Sequence, residues 1–270
     1  MALPPYVTSM SGPTERLGLH RPEFDLEPWD GPARQGYVVC VTPRSGSHYF
    51  SSLLFNAGLG APMEYFNPAE AKDLIRRLSP GDAAMPVDAY IAAVRRVRTS
   101  RDGLFGVTAH PQQMPQAIKL GLLERHLPNL KFVHLRRRDL VLQAVSLSVA
   151  RQTGSWTSSE PVQAEPVYRP AEIAASIEAL FGATLYWKDL FRQQAAPSMS
   201  VPYEDLSQDP GGMCARIAAF LGVSSEGDRP ASEPLFARQG SDRNRAWAER
   251  FRQDDMTAKT AAILAAYADD

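Results

Sequence analysis

Four segments of this 270-residue chain carry side chains suited to chemistry. The first is Thr42-Pro43-Arg44-Ser45-Gly46-Ser47, which joins an apolar run to a helix-like stretch. Gly46 lets the backbone turn tightly, so that successive N–H groups can point at one anion. The start of the next helix adds partial positive charge, and Arg44, Ser45 and Ser47 add donors. This is the logic of a phosphate loop. It is not a Walker A loop, because G-x-x-x-x-G-K-S/T is missing and no lysine precedes Lys72. The second segment is 135–146. Arg136, Arg137 and Arg138 leave a strand-like run, and Asp139, Gln143 and Ser146 recur on one helix face. A guanidinium from the strand exit and a hydroxyl from the helix can converge on a second anion. The third segment, 201–210, holds Tyr203, Glu204 and Asp205. The fourth, 237–247, sets Arg238, Arg243 and Arg245 around Gly240. Taken singly, each segment reads equally well as a turn, a cap or a solvated surface loop.

Secondary structure must bring these side chains together. β-Branched and apolar runs predict strands over 37–42, 104–110, 130–136 and 198–206. Helix-like spacing covers 48–58, 68–78, 87–97, 114–126, 139–151, 171–194 and 211–221, and then runs from 242 to near the end. Alternating strands and helices predict an α/β fold: a largely parallel central sheet flanked by helices, with a P-loop-like strand–loop–helix. Ligands of such sheets bind beyond the carboxyl ends of the strands. The residues expected there are 43–47, His110, Arg137, Arg138, Tyr203 and Glu204. Residues 1–36 hold six prolines without clean periodicity and read as an irregular arm. Residues 37–270 read as one domain, in which 153–170 is a mobile loop or lid.

Composition narrows the classes of partner. Basic and acidic residues nearly cancel, to a net charge of −1, which excludes a nucleic-acid coat. Within that balance there are only five lysines, against 24 arginines, and arginine forks suit phosphate and sulfate. A GC-rich genome enriches arginine too, so the positions have to decide. Cys40 and Cys214 give neither a disulfide framework nor zinc-ligand spacing, and no metal cluster is evident. No apolar run is long enough to span a membrane, and no secretory signal is visible; a cytoplasmic setting is expected.

In their order and strand placement, the four segments resemble a sulfotransferase that uses 3′-phosphoadenosine 5′-phosphosulfate (PAPS). Such enzymes carry a proline, a basic residue, a small residue, glycine and serine or threonine after the first strand, here Pro43 to Ser47. An Arg…Ser pair follows, here Arg137 and Ser146, then Tyr203-Glu204-Asp205-Leu206 and the loop Arg238-Gln239-Gly240. The chain is closer still to the bacterial trehalose 2-sulfotransferase family. That resemblance rests on the seven-residue step from Asp139 to Ser146, on Pro62-Met63-Glu64-Tyr65-Phe66, and on Arg243 ahead of Trp247.

The resemblance implies that Arg44, Ser45, Gly46 and Ser47 cradle the 5′-phosphosulfate, with His48 beside them. It implies Arg137 and Ser146 at the 3′-phosphate, covered by Arg238, Gln239 and Gly240, with Arg138 and Arg243 as helpers and Tyr203 near the adenine. No metal is required. Sulfuryl transfer needs donors at the leaving oxygen and a base for the acceptor proton. Glu64 is the favoured base and His110 its competitor. The wider superfamily has a lysine two residues before that histidine; here Thr108 stands instead, which leaves Arg44 as the strong cation. Tyr65, Phe66 and Trp156 are candidate faces for the acceptor, a sugar, a glycolipid or a phenolic or natural-product hydroxyl. Ala61 replaces an acidic residue of the trehalose enzymes, so trehalose does not follow automatically. A homodimer is implied, with 171–194 as a contact surface. Two rivals stay open: a binder of PAP-like or sulfated ligands without turnover, and an atypical P-loop kinase.

Overall fold

The computed structural model describes residues 6–7, 21–68, 71–79, 84–156, 162–223 and 241–268. The elements are β1 (Tyr6–Val7), β2 (Gln35–Cys40), α1 (Ser47–Asn56), α2 (Lys72–Leu78), β3 (Met85–Pro86), α3 (Val87–Arg98) and β4 (Leu104–Ala109). They continue with α4 (Met114–Lys119), α5 (Leu122–His126), β5 (Lys131–Arg136), α6 (Leu140–Thr153), α7 (Pro170–Gln194) and β6 (Ser198–Pro202). The last are α8 (Tyr203–Gln208), α9 (Pro210–Leu221), α10 (Asp242–Gln253) and α11 (Ala258–Ala268). Strands β4, β2, β5 and β6 lie side by side in that order, all parallel. β1 and β3 form a separate antiparallel pair.

Strand periodicity divides the core between the two faces of the sheet. Val38 and Cys40 join Tyr90, Ile91 and Trp187 on one face. Tyr37, Val39 and Val41 join Phe50, Leu54 and Ile217 on the other. Such strands are buried on both sides, which is why they read as near-continuous apolar runs. Cys40 pairs with both Ala109 and His134, and Arg136 with Pro202, so the carboxyl ends of the four strands share one edge. A third cluster packs α6 on α7 through Ala144, Val145, Ile173 and Ile177.

Three expected elements differ. The helix over 114–126 breaks into α4 and α5, because Gly121 adopts a left-handed φ of 63°. The fourth strand stops at Pro202, and Tyr203 to Gln208 form a helix. The C-terminal helical run divides after Gln253 into α10 and α11. Among the described residues, no helix is long and apolar enough to cross a membrane.

The described part of the arm is pinned to α3. The Leu26 and Trp29 N–H groups donate to Val97 O at 2.8 Å and Arg96 O at 2.7 Å. Arg98, fully buried, pairs with Asp25 at 2.8 Å, and Asp25 also takes both Nη atoms of Arg77. Breaking a buried pair strands a charge, at a cost of about 3 kcal/mol. Asp25→Asn is therefore expected to lower Tm by about 6–12 °C in differential scanning calorimetry.

Candidate active site

The loop after β2 is built from two left-handed residues, Arg44 at φ 64° and Gly46 at φ 100°. Gly46 caps α1, whose first-turn N–H groups lack intrahelical acceptors. A Cβ on Gly46 would lie 2.5 Å from the Tyr203 ring, so the loop is seated directly on that ring. Ser45 Oγ is buried without a hydrogen-bond partner, a cost tolerated where a ligand supplies one.

Side chains join this loop to α6. Arg44 Nε donates to Ser146 Oγ at 3.0 Å, and Arg44 Nη1 donates to Trp156 O. Buried Gln143 donates to Thr42 Oγ1 at 2.9 Å and Pro43 O at 2.8 Å. Asp139 caps α6 by accepting from Leu142 N, and it also holds Arg252. The Arg137 guanidinium lies 3.5 Å over the Tyr203 ring, and Tyr267 donates to Arg137 O. Burial pulls the Arg137 pKa down, against the opposing pull of Tyr203 and Glu204. Arg137 Nε is buried without an acceptor.

The structure thus gathers Arg44, Ser45, Gly46, Ser146, Arg137 and Tyr203 at one place. Two expected helpers are engaged elsewhere. Arg138 forms a two-pronged pair with Asp205 on the surface. Arg243 faces Glu165 at 3.7 Å and lies 5.9 Å from the Trp247 ring centre. Arg238, Gln239 and Gly240 lie outside the described residues. Of the expected lid, 162–169 is tied to the end of α6: Gln163 N donates to Thr153 O at 2.9 Å and Val167 N to Gln152 Oε1 at 2.8 Å.

On the next strand the two base candidates prove to be partners. Met63 bridges Val107, and Thr108 N donates to Met63 O at 2.9 Å, which lays the Glu64 segment along the edge of β4. Glu64 Oε1 then meets His110 Nε2 at 3.4 Å, with both side chains little exposed. Glu64 Oε2 accepts from Asn67 Nδ2 and Gln113 Nε2, each at 3.2 Å. Burial raises the Glu64 pKa, but His110, Asn67 and the charge of His48 outweigh it and hold the carboxyl at about 2. Gln113 was not apparent in the sequence, where it is one glutamine of two in a turn after His110.

Tyr65 and Phe66 correct an expectation. Both are fully buried in the core; Tyr65 stacks on Phe105 and donates its hydroxyl to Ala61 O. Neither offers a face to an acceptor, because both rings pack into the core. Trp156 is 47% exposed, and its carbonyl accepts from Arg44. Thr108, two residues before His110, is buried, with Oγ1 3.2 Å from Ser51 Oγ. Among the described residues, no group of three or more His, Cys, Asp or Glu is arranged to hold a metal ion.

An anion cradle and a carboxylate–imidazole pair thus sit at the ends of the adjacent strands β2 and β4. Known proteins resemble this chain in sequence and in fold. Trehalose 2-sulfotransferase of Mycobacterium tuberculosis is 26% identical over 255 residues, covering 81% of this chain and 94% of that one. The enzyme of the same name from Mycolicibacterium smegmatis is 25% identical over 256 residues, with the same coverage. The solved sulfotransferase domain of the Synechococcus PCC 7002 olefin synthase superposes with a TM-score of 0.53 at 19% identity, over 91% of this chain and 98% of that one. That likeness shows a shared sulfotransferase fold. The Stf0 sulphotransferase family model matches residues 36–254, which span the anion cradle, the Glu64–His110 pair and the sheet between them, and the chain is a sulfotransferase belonging to that family.

Proposed function

We propose that the protein transfers the sulfuryl group of PAPS to a hydroxyl of a carbohydrate or glycolipid by in-line displacement. The observation that carries this reading is the placement of the cradle beside the Glu64–His110 pair, so that a donor anion and a deprotonating group meet over two neighbouring strands. PAPS supplies the sulfur electrophile and leaves as PAP. The residues fit such a donor: first-turn amides of α1, the unpartnered Ser45 Oγ and Arg44 surround one anion position. Arg137, Ser146 and the Tyr203 ring offer a second position for the 3′-phosphate and the base. Arg238, Gln239 and Gly240 belong to the same reading by resemblance. Glu64 removes the acceptor proton as the new O–S bond forms and the bond from sulfur to the leaving phosphate breaks. Catalysis by such a site is mostly positioning and charge stabilisation.

Ala61 is buried, so the acidic contact of the trehalose enzymes has no counterpart there, and the acceptor is a sugar hydroxyl without trehalose being required. Trp156 provides the flat face against which a sugar ring packs. A homodimer through α7, where Leu185 is 43% exposed, and a cytoplasmic setting complete the reading; light scattering tests the dimer. The decisive experiment combines purified protein and ³⁵S-labelled PAPS with a panel of sugars, glycolipids and phenols. Labelled sugar or glycolipid supports the proposal. Label on phenols alone changes the acceptor class. Tight PAP binding with no transfer makes the protein a binder, and binding of ATP alone removes the reading.

A further inference from the structure

The two oxygens of the Glu64 carboxylate are not equivalent. Oε2 accepts from both Asn67 Nδ2 and Gln113 Nε2 at 3.2 Å, whereas Oε1 meets His110 Nε2 at 3.4 Å. The orientation of the Gln113 amide is fixed by the backbone. The His110 N–H can only donate, and it donates to Gln113 Oε1 at 2.9 Å. That leaves the amide NH₂ for Glu64. The Gln113 N–H in turn donates to His110 O at 3.0 Å, closing the turn Pro111–Gln113. Gln113 is almost fully buried, so flipping its amide breaks both side-chain bonds without water to replace them.

We propose that Gln113 is a positioning residue that makes Glu64 a one-sided base. With Asn67 it ties down Oε2 and leaves Oε1, beside His110, as the oxygen that takes the acceptor proton. The acceptor O–H bond breaks and an O–H bond to Oε1 forms; no other group gains or loses a proton. Two amide donors on Oε2 also stabilise the anion, so the carboxylate stays ionised while it waits. A free carboxylate rotates and presents either oxygen, and loss of alignment of about 1 Å costs about 100-fold in rate. This inference rests on the reading of Glu64 as the base.

The test uses the full chain with Gln113→Ala, Gln113→Glu and Glu64→Gln. PAP affinity is measured by calorimetry, and kcat against pH with the acceptor of highest turnover in the panel. The Glu64 carboxyl is titrated by ¹³C NMR, which needs no acceptor. Gln113→Ala is expected to lower kcat about 10- to 100-fold, leave PAP affinity within about twofold and move the Glu64 titration upward. Gln113→Glu keeps an acceptor for the His110 N–H. At neutral pH its charge repels Glu64; as pH falls it protonates, donates to Oε2 and restores rate. A rising rate toward acid is something a merely structural glutamine does not produce. Should Gln113→Ala fail to fold, that profile decides alone. Wild-type kcat and pH profile in both Gln113 variants, with Glu64→Gln inactive, overturn the inference and spare the base. A uniformly slow Gln113→Glu with an unshifted profile also overturns it. Normal turnover in Glu64→Gln removes the base itself, and this inference with it.

Discussion

Glu64→Gln is expected to lower kcat by about 10²- to 10⁴-fold while PAP affinity stays within about twofold. The amide keeps the shape and can still accept from Asn67, so the edge segment stays docked, but it cannot take a proton. Steady-state kinetics with calorimetry on the same protein separates the two effects. A parallel loss of PAP affinity would place Glu64 in the donor site and sink its assignment as base. His110→Ala is expected to be milder, because Asn67 and Gln113 remain on Oε2. The pH dependence follows from the depressed carboxyl at about 2. Glu64 is ionised throughout the neutral range, so kcat/KM shows no acidic limb from it above about pH 4. The stability sign is the usual carboxylate one. The folded pKa lies below the ordinary value of 4.5, so the contribution is complete above about pH 4.5 and is lost as pH falls toward 2. Acid unfolding of the wild type is accordingly steeper across that window than that of Glu64→Gln.

Gly46→Ala is expected to weaken donor binding strongly while the chain still folds. A left-handed residue with a Cβ costs about 1–2 kcal/mol in backbone strain alone. The new atom would also sit 2.5 and 2.7 Å from two carbons of the Tyr203 ring. The ring must move, and it carries the Arg137 guanidinium at 3.5 Å. One methyl group therefore disturbs both anion positions at once. PAP affinity should fall by at least about 30-fold, near 2 kcal/mol, as the strain is relieved by opening the loop. Tm should fall by only a few degrees, because the disturbance is confined to the loop and to one ring of the core on that face of β2. Unchanged PAP binding in a folded Gly46→Ala protein would show that the nucleotide does not use this loop.

The strands were legible because both their faces are buried, so Tyr37 to Val41 reads as an unbroken apolar run and Leu130 to Leu135 as a run interrupted only by Lys131 and His134. The loop at Pro43 to Ser47 pointed to an anion only in company with the other three segments, since alone it reads equally well as an ordinary strand–helix turn. Tyr203 misled, because an aromatic after Pro202 suits a strand as well as the first turn of a helix. The Glu64–His110 pair was hidden by distance along the chain: 46 residues separate two side chains that one parallel bridge brings within 3.4 Å. Local pattern could therefore offer them only as competitors. Tyr65 and Phe66 failed for a related reason. An aromatic beside a candidate base looks like a binding face until the tertiary fold shows which way it turns. Gln113 carried no signal, since its role depends on a turn geometry that composition does not encode.

The bridge between Met63 and Val107 gives the Glu64 segment a reporter of its own. Sheet edges open at lower free energy than the strands inside them. The Glu64 segment is the cover of the β4 edge, and the Thr108 amide, bonded to Met63 O, protects itself from solvent only while that cover is on. Deuterium uptake at this one amide therefore counts the fraction of molecules with a detached carboxylate. An enzyme stored warm should lose turnover in step with exchange at Thr108, well before its helices unravel.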